Sequence, residues 1–227
     1  MTTSTISAPE VYQGQFGEFT INQSDRNGVI IYRSGLMVAA LSFAIGTALV
    51  LFTNNPIAIQ ALTPLYTCFS LALGVSLLTI HIYLAPLHRL LQVFWIIGSI
   101  AAFIFGHSDS QPFAVTVYNQ PLTILGIGFT FAALTGIYFK EAFCFHRLET
   151  KVLTFLVPTL LLGHLVGVLP IQWEQVLLGT WAILFLIFAV RKVIQAIPPD
   201  IGDKSVFAYL KDKNSVKVEE TELGLTQ

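Results

Sequence analysis

Residues 35–53 read GLMVAALSFAIGTALVLFT, a run without a single Asp, Glu, Lys or Arg. A hydrocarbon core about 30 Å thick takes roughly 20 apolar residues at about 1.5 Å each, so this stretch is long enough to cross it as a helix. A helix also satisfies every backbone N–H and C=O within its own segment, which lipid cannot do. The pattern recurs at approximately 61–87, 90–106, 121–139, 152–170 and 173–190, and the six runs together predict an all-α bundle of six transmembrane helices. Local breaks set their limits. Asn54, Asn55 and Pro56 are expected to stop the first helix, Pro86 the second and Pro170 the fifth, while Pro121 is placed to start the fourth. Trp173 suits an interfacial anchor for the sixth.

The whole composition agrees. The 227 residues are 54% hydrophobic and 11% charged, against roughly 25% charged in soluble domains. A net charge of -1 offers no basic field to phosphates, so nucleic acid is excluded as a partner and the lipid bilayer is the expected one. Cys68 and Cys144 form neither a CxxC pair nor a zinc-ligand set. The N-terminal stretch before Phe19 has no basic or apolar region of the kind a secretory signal carries.

Lys and Arg near span ends are retained on the cytoplasmic side, and their distribution here is one-sided. Arg26 and Arg33 precede the first span, Arg89 lies between the second and third, and Lys140, Arg147 and Lys151 lie between the fourth and fifth. Arg191, Lys192, Lys204, Lys211, Lys213 and Lys217 follow the sixth. The opposite loops hold only Asp109 and Glu174. Both termini are therefore expected in the cytoplasm, with a segment 1–34, a membrane domain 35–190 and a flexible, solvated tail 191–227 whose charges alternate through Lys217, Glu219, Glu220 and Glu222.

Helices in lipid pack through small residues. Ala40, Ala44 and Ala48 form such a ladder on the first span, as do Ser70 and Gly74 on the second and Gly98, Ala102 and Gly106 on the third. Gly128, Ala132 and Gly136 line the fourth, and Gly163 with Gly167 gives the fifth a GxxxG. The sixth has only isolated small residues and is expected at the periphery. No charge falls in the interior of any span, the sixth admitting Glu174 only at its edge beside Trp173, which weighs against ion-coupled transport.

Candidate chemistry gathers on the cytoplasmic side, where His88-Arg89-Leu90 and His146-Arg147-Leu148 repeat a tripeptide in two hairpins. His81, His88, Cys144 and His146 are residue types that ligate zinc or iron, though their spacing fits no established pattern. His81 and His164 are weak cofactor candidates. Expected depths differing by about 9 Å argue against one shared haem, and a single histidine is enough to hold the magnesium of a chlorophyll. The alternative is structural: hydrogen-bonded histidines, with Glu141 paired to Arg147 and Glu149 to Lys151. No HExxH, GxSG, histidine-box or CxxC signature occurs, so no catalytic residue is assigned and no enzyme is expected; Ser76 with His81 or His164 is the remaining nucleophile pair.

The N-terminal segment interleaves aromatic, polar and glycine residues in YQGQFGEFTI (12–21) and reads as ordered, with Asp25-Arg26-Asn27-Gly28 as a turn and Tyr32 and Arg33 at headgroup level. That segment, DRNGVIIYRSGL (25–36) and KEAFCFHRLETK (140–151), on a six-span chain, resemble an uncharacterised integral membrane protein family of cyanobacteria and plastids. The resemblance implies a thylakoid or plasma membrane and carries over no catalytic residue. The leading expectation is a non-enzymatic accessory or assembly factor for a membrane complex, photosynthetic if the resemblance holds, with Glu141, Arg147, Tyr32 and Arg33 as contact residues. The alternatives are a small-solute permease whose path runs beside Pro158 and His164, and a pigment or metal carrier.

Overall fold

The computed structural model describes residues 10–53, 55–108 and 111–222, with side chains described throughout except at 108 and 214–222. Asn54 and Asp109 lie outside these residues, as do the side chains of Lys217, Glu219, Glu220 and Glu222. In chain order come strands β1 (Val11–Gly14) and β2 (Gly17–Thr20), then helices α1 (Gln23–Phe52), α2 (Pro56–Thr79), α3 (Ala85–Ser108) and α4 (Phe113–Asn119). A 3-10 turn (Pro121–Thr123) leads into α5 (Ile124–Phe145), followed by α6 (Leu148–Leu165), α7 (Ile171–Ile194), α8 (Pro198–Ile201) and α9 (Lys204–Glu222). Six of the helices are long and apolar enough to cross a membrane, so the molecule is the all-α six-span bundle that its hydropathy predicts. The chain forms two compact units, Met1–Ile30 with Ala196–Gln227 and Ile31–Gln195.

Several boundaries differ from the expected ones, each for a local reason. α1 starts at Gln23 because Asn22 and Asp25 cap it reciprocally: the Asn22 N–H donates to Asp25 Oδ2 and the Asp25 N–H to Asn22 Oδ1, both at 2.9 Å. The residues read as a turn at 25–28 are thus its first turns. Proline is tolerated in a helix's first turn, where no intrahelical N–H is needed. Accordingly Pro56 opens α2 under an Asn55 cap, Pro86 sits in the first turn of α3 rather than ending α2, and Pro170 precedes α7. α6 stops earlier, at Leu165, and Gly167 beyond it has a φ of 68° that supports paired bonds from Val168 N–H to Gly163 O (3.1 Å) and from Gly167 N–H to His164 O (3.0 Å).

Within Ile31–Gln195 the glycines act as close-approach points between spans. A Cβ on Gly98 of α3 would sit 2.4 Å from the Thr130 nitrogen of α5, and one on Gly74 of α2 would meet the Trp95 ring at 2.3 Å. The GxxxG on α6 serves a different purpose. Gly163 admits the Leu169 side chain as the chain folds back, and Gly167 supplies the left-handed terminus. The sixth span is not peripheral. Its Trp181, Phe185, Phe188 and Ala189 lie fully inside the core, and the rings of Trp181 and Phe185 pack against Phe43 at 4.5 and 6.2 Å. Large rings interlock here where small residues were expected to be required. It is α3 whose membrane window is least buried.

The other unit is an antiparallel hairpin with α8 and α9. Ile21, Val29 and Ile201 form its core, with Tyr12, Phe19 and Ile197 packed on them. Asp203 at the start of α9 accepts the Gln15 N–H (2.6 Å), Ser205 Oγ accepts the Phe16 N–H (3.0 Å), and Phe16 stacks on Tyr209 at 4.0 Å. The expected tail 191–227 thus contains the end of α7, two further helices and ordered contacts. A proline-initiated turn at Pro198 and the Asp203 cap supply the starts that its charged composition concealed.

Candidate functional site

Two polar clusters occupy opposite ends of the span bundle. At the end where α5 meets α6, Glu141 is fully buried, and Lys192 Nζ, itself fully buried, lies 2.7 Å from its Oε2. Lys140 Nζ lies 2.8 Å from Glu141 Oε1, to which the Tyr32 hydroxyl also donates at 3.3 Å. Lys192 rests 4.1 Å from the Phe145 ring centroid, with Arg147 at 5.7 Å from the same ring. Arg147 donates to the Gln195 side-chain oxygen and Arg33 to the Gln195 backbone carbonyl. Arg191 pairs with Glu149 at 2.8 Å.

This geometry revises three expectations. Glu141 pairs with lysines rather than with Arg147, and Glu149 with Arg191 rather than with Lys151. Ionisable groups do lie within the span helices, because α5 runs on to Phe145 and α7 to Ile194, past the limits that a charge-free window sets. Finally, Glu141, Tyr32 and Arg33 are buried and Arg147 is half-buried, each with an internal partner, so they hold the chain to itself instead of facing another protein.

The histidine and cysteine candidates are dispersed. His81 follows the end of α2, in the α2–α3 connection rather than inside a span, because Ile80 is already extended. His88 Nε2 lies 2.6 Å from the Leu77 carbonyl, an oxygen that the end of α2 leaves without a helical partner. Cys144 is exposed, and so is His146, the left-handed residue (φ 51°) that closes α5. The two His-Arg-Leu tripeptides therefore occupy unlike positions, one starting a helix and one ending it. Among the described residues no group of three or more His, Cys, Asp or Glu is arranged to hold a metal ion. Ser76 donates to the Tyr32 carbonyl at 3.0 Å, which leaves neither histidine as its partner.

At the other end His164, in the last turn of α6, has Nδ1 2.7 Å from Glu174 Oε1 and Nε2 3.1 Å from the Tyr118 carbonyl. The Tyr118 hydroxyl closes the ring by donating to Glu174 Oε2 at 3.2 Å. A carbonyl only accepts, so a hydrogen bond at that contact is donated by Nε2–H. Burial, reinforced by the charge of Glu174, pushes the Tyr118 phenol up, which keeps it a donor. Sequence reading found His164 but not its partners. The signal for Glu174 was present, as it and Asp109 are the charged residues in loops otherwise free of charge; nothing in the sequence marked Tyr118.

These three residues border an open cavity of about 620 Å³ lined by α1, α2, α4, α5, α6 and α7. Its walls are chiefly apolar, with Phe43, Phe69, Phe113 and Phe131 among them. Ser42 and Thr47 of α1 line it and are buried, and neither makes a hydrogen bond among the described residues. That volume falls in the range of small-molecule sites.

A bundle of six apolar helices, with its ion pairs drawn inside, is a multi-pass integral membrane protein. The chain belongs to the family described as uncharacterized integral membrane protein (DUF2301), whose model matches residues 75–209. That match takes in Glu141, Lys192, His164 and Glu174 and leaves α1 outside. No curated protein and no solved structure matches the chain.

Proposed function

We propose that the protein is a non-enzymatic, small-molecule-binding membrane protein of the permease or carrier kind. The observation that carries this reading is the open 620 Å³ cavity between the spans, with the His164–Glu174–Tyr118 cluster beside it. It lies beside the part of α6 that follows Pro158, where a solute path was expected. The test is organic extraction of protein purified from native membranes, with mass spectrometry of what is released, followed by uptake of that compound into reconstituted vesicles. Uptake above empty vesicles that falls on His164→Ala supports the reading; no stoichiometric compound and no uptake across a broad solute panel defeats it.

An accessory or assembly role is the second reading. It is supported by the ordered hairpin unit, whose stacked Phe16 and Tyr209 remain exposed. Co-purification of a membrane complex that is lost on Phe16→Ala, with the protein's own level unchanged, tests it. The one-sided Lys and Arg support cytoplasmic termini, and the sequence resemblance supports a thylakoid or plasma membrane.

A further inference from the structure

Hydroxyls buried in a membrane helix have a default partner in the carbonyl one turn back, since nothing else in lipid accepts their proton. The spans of this protein follow that rule. Thr135 donates to Phe131 O, Thr154 to Thr150 O and Thr159 to Phe155 O, each at 2.8 Å, and Thr180 to Val176 O at 2.7 Å. Those four are half-buried or exposed, whereas buried span hydroxyls find partners elsewhere: Ser70 with Ser99, Ser76 with Tyr32 O, Thr130 with Tyr66 and Thr150 with Arg147 O.

Ser42 and Thr47 break the pattern. Each is 6% exposed, each lines the cavity, and neither has a hydrogen-bond partner among the described residues. They stand about 7.5 Å apart along α1, at about 1.5 Å per residue. Neither oxygen is sealed from the cavity; a hydroxyl that faces apolar walls without a partner is costly, and an occupant's oxygen would relieve it. Charge on that occupant is disfavoured, because the ionisable pair bordering the cavity, His164 and Glu174, is already joined at 2.7 Å.

Resting on the small-molecule reading above, we infer that the cavity takes a neutral, chiefly apolar molecule whose carbonyl, ether or hydroxyl oxygen is held by Ser42 or by Thr47. The aromatic and aliphatic walls take the hydrocarbon, and the hydroxyl that holds the oxygen fixes its depth. Sugars, amino acids and inorganic ions find too few polar groups here to replace their water.

The experiment is competition between 2-tridecanone and tridecane for the full chain, read by native mass spectrometry after release from detergent. Both probes bind, and the ketone is favoured about tenfold, the worth of one to two hydrogen bonds. Ser42→Ala with Thr47→Val abolishes that preference while alkane binding persists, and Thr47→Ser in place of Thr47→Val restores part of it. Gly46→Phe, which fills the cavity wall, removes both probes. Equal binding of ketone and alkane to the unsubstituted protein overturns the ligand class and leaves the small-molecule reading standing. Failure of either probe to bind, or binding that Gly46→Phe does not change, overturns both.

Discussion

Glu141 and Glu174 are both carboxylates near the end of a span, yet they are set in opposite ways. Around Glu141 the bundle is filled: two ammonium groups, a phenol and an aromatic ring close over it, and neither it nor Lys192 touches solvent. Around Glu174 it is left open: one imidazole and one phenol hold the carboxylate, and a cavity begins beside them. An ion pair removed from water must be matched by close partners, so the first arrangement is rigid and intolerant of loss. The second keeps hydrogen-bonding groups beside unfilled volume. Structural charge and cavity-facing polarity are thus segregated to the two ends of the same helices.

The comparison can be broken most sharply at Glu141. Glu141→Ala removes the carboxylate that Lys140 and Lys192 share, and the expected loss is about 3–5 kcal/mol in a reversible unfolding assay in detergent or bilayer. Glu141→Leu with Lys192→Leu is expected to recover most of it, and failure to recover would show that the pair has a role other than neutralising itself. Next in size is Gly98→Ala, which drives a methyl into the Thr130 backbone and costs about 1–3 kcal/mol in the same assay. His164→Ala is expected to cost less, about 1–2 kcal/mol, while reducing occupancy of the cavity. A His164 variant as damaging as Glu141→Ala would erase the distinction between the two ends.

The smallest effect is pH-dependent and lies in the hairpin unit. Hydrogen bonds from the Ser205 hydroxyl and then the Gln15 N–H hold the Asp203 carboxyl below its usual value of 3.8. A depressed carboxylate contributes stability above that usual value and loses it as pH falls through the lower folded one. Amide exchange at Gln15 and Phe16 should therefore be protected at neutral pH and accelerate selectively in strong acid; Asp203→Asn should remove the pH dependence.

The number of spans was legible because hydropathy needs only composition and length. Their basic ends were not: a rule that stops a span at its first charge cannot see that Lys140 and Lys192 share the Glu141 carboxylate inside the helices. Span six was misplaced because small-residue counting is blind to rings that interlock, as Trp181 does with Phe43 and Phe131. Of the candidate site, His164 was visible as an isolated imidazole in an apolar run. Tyr118 comes from an intervening short helix 46 positions away, and only the fold brings its carbonyl to the ring. Ser42 and Thr47 look like any other span hydroxyls until the carbonyls around them are accounted for.

Trp181 has a consequence of its own. Its indole is fully buried, donates to the Tyr138 hydroxyl at 3.2 Å, and touches Phe43 and Phe131, both of which also wall the cavity. The protein therefore carries a built-in optical reporter one ring removed from its hollow. With Trp95 and Trp173 replaced by phenylalanine, the emission wavelength and lifetime of this remaining fluorophore should register filling and emptying in real time, without any label.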